Sequence, residues 1–236
     1  MFPKLLILLV VTLGCGASTS ENCTYFEASS LANGACAAEI CKCNSNVCQI
    51  RLDFNSFVIS GPSTSTTSVG AIVMGTQQAV PPAANGVSES GQCNTDTFSI
   101  TNQNTVPRIC GTNTGEHVYF EASEDCNHLS FQFGTAAIGI SAIASRSFSI
   151  KVTQIGCDSE LLAPEGCTQY YYGSGASHVR TFNYNSGNGR HLADQDQLIC
   201  VRRETGNCAI CWSADAAGDV QLGGMIDAMG DVAVSH

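Results

Sequence analysis

Any chemistry in this chain has to come from its cysteines, histidines or carboxylates. The 236 residues include 14 cysteines and five histidines. The histidines, at 117, 128, 178, 191 and 236, are scattered. None has a spacing such as His-Glu-x-x-His, which would present two imidazoles to one metal, so they read as structural or surface groups. No Gly-x-Ser-x-Gly elbow is present to lift a serine nucleophile out of its strand. Cys208-x-x-Cys211 has the spacing of a redox dithiol, but no βαβ pattern surrounds it. Cys41-x-Cys43 has no second pair at zinc-ribbon distance. The expectation is a protein without catalytic, cofactor-binding or metal-binding residues.

Cysteines in this number point instead to structural disulfides and an oxidising compartment. The first residues agree. Met1 to Lys4 precede an unbroken apolar run from Leu5 to Leu13 and then small residues through Ser18, the pattern of a secretory leader. The run is far shorter than the ~20 residues that cross a bilayer. Residues 1–17 are therefore expected to leave as a signal peptide, taking Cys15 and leaving an odd thirteen cysteines. The expected location is extracellular. The formal charge of −10 would become −11 without Lys4, an acidic surface that argues against nucleic acid and anionic membrane as partners. Asn22-Cys23-Thr24 is an N-glycosylation sequon, which makes Asn22 the expected glycan site.

The elements that would position these groups are strands. Between Cys36 and Phe54 four cysteines crowd a short apolar run and an Asn/Ser turn, followed by the alternation Ile50, Leu52, Phe54 with Gln49, Arg51 and Asp53 between. This predicts a disulfide-clasped β-hairpin with its polar set in water. A four-residue turn would bring Cys43 and Cys48 within bonding reach. Residues 60–92 are crowded with small and turn-forming types and read as a long surface loop, with Val69 to Met74 a short strand or flap. Period-two patterns return at 97–101, 129–133 and 147–155, with 106–111 closing toward a turn and 117–120 a short strand, and no segment has a capped helical period. After Cys157 the chain starts again, and Leu198 to Trp212 reads as a second cysteine-edged hairpin.

These segments resemble a CUB domain, and more narrowly the chain is similar to the secreted tandem-CUB proteins of arthropods. The resemblance rests on Lys42 to Phe54, Ile109 to His117 and Lys151 to Cys157, and in the second half on Ala163 to Tyr170, Ser177 to Tyr184 and His191 to Glu204. It implies an all-β antiparallel jelly-roll sandwich over 23–156 and a second, incomplete CUB-like module over 157–222, followed by a tail over 223–236. It supports pairing Cys93 with Cys110 and implies Cys23 with Cys36, which leaves Cys41 and Cys126 as the remainder. The odd five cysteines of the second module, 157, 167, 200, 208 and 211, leave their pairing open and make a disulfide-linked dimer conceivable.

In many CUB domains carboxylates in the loops at one end hold a calcium ion, and Asp96, three residues after Cys93, matches one such position. Ser60 stands where another acid is expected, and the loop after Phe133 begins without one. A hard cation wants six to eight oxygens, several of them charged, so Asp96 reads as a remnant of a calcium site and no cofactor is expected. The function the resemblance implies is recognition of extracellular protein or glycan ligands through loops, with Tyr170, Tyr171 and Tyr172 beside Gly173 as candidate contacts. The alternatives are a non-catalytic accessory or regulator of an extracellular protease, and a structural component of a matrix or secretion.

Overall fold

The structure is a computed structural model that describes residues 11–63, 91–101, 106–135, 145–173 and 177–215. Most of the expected 60–92 loop, including Val69 to Met74, and the 223–236 tail lie outside the described residues. The described chain is all-β: eleven strands, one 3-10 turn at Asn185–Gly187 and no α-helix.

In chain order the strands are β1 (Thr12–Leu13), β2 (Ser18–Thr19), β3 (Thr24–Ser29), β4 (Gly34–Ile40), β5 (Val47–Val58), β6 (Asp96–Ile100), β7 (His117–Glu121), β8 (Asn127–Phe133), β9 (Ser147–Gly156), β10 (Cys167–Tyr171) and β11 (Leu198–Val201). A five-stranded sheet in the order β1-β3-β9-β5-β7 faces a four-stranded sheet in the order β2-β4-β8-β6, and β10 and β11 form a separate parallel pair. The sandwich is antiparallel except at two edges, where β1 runs parallel to β3 and β2 parallel to β4.

Alternation decides which side chains make the core. Ile50, Leu52 and Phe54 of β5 are buried against Phe98 and Phe131 of the other sheet. Phe57, three residues after Phe54, would point to the opposite face of a regular strand. A register shift between Phe54 and Ser56 re-phases β5, and Phe57 returns to the core with its ring 4.9 Å from that of Phe54. Phe131 packs at the centre, 4.1 Å from Phe148, 4.7 Å from Phe98 and 5.5 Å from Phe57.

The expected 36–54 hairpin does not form. Its first arm, β4, pairs with β8, and its second, β5, pairs with β9 and β7, so residues 41–46 turn a corner between the sheets. This corrects the Cys43–Cys48 pairing, because these residues do not face each other across a ladder. Cys48 bonds to Cys157 instead, beside the Val47–Gly156 end of the β5/β9 ladder. Cys41 bonds to Cys126, one step beyond the Ile40–Asn127 end of the β4/β8 ladder, and Cys93 bonds to Cys110.

Cys36 bonds to Cys15 rather than to Cys23. The physical reason is that residues 11–19 are built into the sandwich. Leu13 is buried in the core, Tyr25 N–H donates to the Val11 carbonyl, and Gly16 N–H donates to the Ala37 carbonyl beside Cys36. Cleavage near Ala17 or Ser18 would remove β1 and this bridge; residues 1–10 lie outside the described residues.

Candidate recognition surface

The polar set of β5, expected in water, is covered by the segment that follows Cys157. Gln49 is buried because its amide pairs with the main chain of Ala163: Oε1 accepts from Ala163 N–H at 2.8 Å and Nε2 donates to Ala163 O at 2.9 Å. His117 on the neighbouring β7 places Nε2 3.1 Å from both the N and the O of Tyr170, so its tautomer decides whether it accepts from the N–H or donates to the carbonyl. Burial and then the nearby Arg51 charge push its pKa down to about 4, which keeps the imidazole neutral. Glu116 receives Gln169 Nε2 at 3.1 Å, and burial raises its pKa. Further along, Asn183 is held to Asn113 and Thr112, and Phe182 and Leu192 enter the main core. Cys167 and Cys200 tie β10 to β11.

The three candidate tyrosines separate in this setting. Tyr170 is buried in a small cluster with Tyr119, Ile155 and Ala163. Tyr171 has a buried hydroxyl and packs its ring 4.9 Å from that of His117; burial and then Glu116 push its pKa up to about 12. Both are packing residues of β10. Tyr172, just past the strand, is 38% exposed.

Tyr172 has two guanidiniums near its ring, with Arg51 centred 5.8 Å and Arg202 5.2 Å from the ring centre. Arg51 Nη1 donates to Tyr172 Oη at 3.1 Å and to Tyr119 Oη at 3.0 Å, while its Nε and Nη2 both donate to Asp53 Oδ1. Burial opposes the Arg51 charge, but the bonds to Asp53 outweigh it and the pKa is raised. Arg202 Nε donates to Glu204 Oε1 at 2.8 Å, and the same oxygen receives Gly173 N–H. Both guanidiniums therefore lie within about 6 Å of the centre of a ring that stays partly open to solvent. The polar positions of the β5 alternation marked Arg51 as exposed in the sequence; only the fold brings it beneath Tyr172.

Asp96 lies at the other end of the story told by the resemblance. It is fully buried, and both carboxylate oxygens are occupied. Arg146 Nε donates to Oδ2 at 2.8 Å and Nη2 to Oδ1 at 2.7 Å, a bidentate pair, while Ser60 N–H donates to Oδ2 and Gly134 N–H to Oδ1. Burial raises the carboxyl pKa, but Arg146 and the Ser60 N–H outweigh it, so the net shift is downward. Arg146 also reaches Asn33 Oδ1 and Gly134 O and lies 5.1 Å over the Phe133 ring. A guanidinium thus supplies the positive charge at Asp96.

The remaining candidates do not gather. His128 faces Glu39 at 3.8 Å and His178 faces Asp215 at 2.8 Å, both on exposed side chains. Glu39, Cys41 and Cys126 come together, but both sulfurs are already used in their disulfide. Asn22 is exposed; its Nδ2 donates to Gln154 O at 3.0 Å and its Oδ1 accepts from Gln154 N–H at 2.7 Å. No strand follows Val201 among the described residues, so the expected second hairpin is absent there, and Cys208 and Cys211 are exposed free thiols.

The described chain is a disulfide-braced β-sandwich that carries a short aromatic and arginine surface. The family comparison is more particular: the model of the animal CUB domain matches residues 164–235, which include β10, Tyr172 and the Cys167–Cys200 bridge. Over those residues the chain is similar to the animal CUB domain. No curated protein matches the chain. The CUB domain and the disulfide-rich fold fit an extracellular interaction module, and no helix among the described residues is long and apolar enough to cross a membrane.

Proposed function

We propose that this chain is a secreted, non-catalytic binding protein that recognises an extracellular protein or glycan through the surface around Tyr172, without calcium. One observation carries the reading. Among the described residues every exposed large apolar side chain belongs to the segment from Leu161 to Trp212: Leu161, Tyr172, Leu198, Val201, Ile210 and Trp212. Tyrosine, tryptophan and arginine are the residue types that dominate binding energy at interfaces, and a ring whose hydroxyl is already held by Arg51 loses little freedom on binding. Calcium independence is supported by the saturation of Asp96 by Arg146 and two main-chain N–H groups.

The test is affinity capture from the fluid into which the protein is secreted, with Tyr172→Ala and Tyr172→Phe as controls. The phenylalanine variant keeps the ring and should keep the ligand, and the alanine variant should lose it. Equal capture by all three would remove Tyr172 from the binding surface.

A further inference from the structure

We infer that Cys23 and Cys43 are partners in a further disulfide, which fastens the chain entering β3 to the corner between the two sheets. Residues 15–157 contain ten cysteines, and eight of them close as four bridges. The two left over are Cys23 and Cys43, both exposed and both free thiols in the structure. They are also neighbours through one residue. Gln154 of β9 is gripped from one side by Asn22, whose side chain bonds to its main-chain N–H and carbonyl at 2.7 and 3.0 Å. From the other side Cys43 N–H donates to Gln154 Oε1 at 2.7 Å, and Gln154 Nε2 donates to Cys41 O at 2.9 Å. The residue before Cys23 and the main chain of Cys43 therefore converge on a single glutamine. Cys208 and Cys211, the other free pair, belong to the separate stretch beyond β11.

Cys23 is exposed at the entry to β3. It occupies a single left-handed position, with φ 57°, immediately before the β3 ladder begins at Thr24. The bond forms by thiol–disulfide exchange. One thiolate attacks a disulfide donor, a small-molecule disulfide or that of an oxidoreductase, and the second thiolate then displaces the reduced donor from the mixed disulfide. Two S–H bonds become one S–S bond, two protons leave, and the donor disulfide takes both electrons and departs as two thiols. With this bond the cysteines of residues 15–157 close completely.

The test uses the full chain secreted from an oxidising host, alkylated without reduction, deglycosylated and cut after glutamate, lysine and arginine. Cys23 then lies in fragment 22–27, Cys36 in 28–39, and Cys43 with Cys48 in 43–51. The expected product joins 22–27, 43–51 and the 152–160 fragment that carries Cys157. Alkylation of Cys23, or its linkage to 28–39 or to any fragment other than 43–51, overturns the inference. Thiol counts on Cys23→Ser and Cys43→Ser give an independent reading. Each single variant should show one free thiol more per chain than the unaltered protein, and the double variant should match it. A count that falls by one in either single variant means that cysteine was already free, and the inference fails.

Discussion

At the residue scale the structure turns three sequence features into measurable quantities. Thr24 is fully buried and its hydroxyl has no hydrogen-bond partner among the described residues, although the same hydroxyl completes the sequon at Asn22. Replacing a buried, unpartnered hydroxyl by a methyl removes a desolvation cost, so Thr24→Val should abolish the glycan, seen as a mobility shift, while stability is unchanged or rises by up to about 1 kcal/mol. Asp96 and Arg146 behave in the opposite way. Both are buried, so Asp96→Asn should destabilise the fold by about 3–5 kcal/mol in denaturant unfolding, because it strands a buried guanidinium. Adding Arg146→Met should recover part of that loss.

His117 gives a pH signature. Its folded pKa of about 4 lies below the ordinary 6.5, so between these values the unfolded chain takes up a proton that the folded chain refuses. Stability should therefore fall as pH drops from 6.5 toward 4, by about 3 kcal/mol in all, with no effect above pH 7. Glu116, whose pKa is raised by burial, works in the opposite direction: its contribution is greatest when it is protonated and declines as pH rises. The difference between the unaltered protein and His117→Gln, which keeps an acceptor for Tyr170 N–H but does not titrate, isolates the histidine. Parallel stability profiles for the two would contradict the assignment.

At the scale of elements, the corner after Cys110 is locked to the C-terminal segment. Gly111 has φ +81°, and a Cβ there would lie 2.0 Å from Asn183 Oδ1, the atom that accepts Thr112 N–H. Gly111→Ala combines backbone strain with a clash against a hydrogen-bonded side chain, and should cost more than about 2 kcal/mol and loosen the 177–192 stretch in hydrogen exchange. Individual strands were legible from period-two patterns: β6, β8 and β9 fall where alternation places them, because a half-buried strand writes its buried face into the sequence, whereas β7 is buried throughout His117 to Phe120 and has no such alternation. Which strands pair was not legible. The 36–54 segment reads as a hairpin because both arms alternate across a short turn. Nothing local records that its arms join different sheets, and the pairing expected for Cys43 and Cys48 went wrong for that reason. Cys41 and Cys126 are adjacent only through the β4/β8 register, a relation between residues 85 apart.

For the whole molecule, the main surprise is that the outer face of the five-stranded sheet is covered at β5 and β7 by the segment that follows Cys157. Gln49, Arg51 and Asp53 have the spacing of a solvated face, yet Gln49 serves as a main-chain mimic for Ala163, and Arg51 with Asp53 supports Tyr172. Sequence reasoning had the tyrosine cluster but could not rank its members, because exposure at 170–172 depends on how β10 lies against β7. The N-terminal stretch shows a further ambiguity. Leu13 is as suitable for a core as for a leader, and an apolar run carries no mark of which use applies. Arg146 pairs with Asp96 inside the disulfide-braced sandwich, and Tyr172 stands exposed just past β10. The most direct test measures binding of the captured ligand to the unaltered protein in calcium and in excess chelator, with Tyr172→Ala alongside. The prediction is the same affinity in calcium and chelator and at least a tenfold loss for Tyr172→Ala, the size of an interface hot spot. Binding that collapses in chelator, or that is indifferent to the loss of Tyr172, would contradict it.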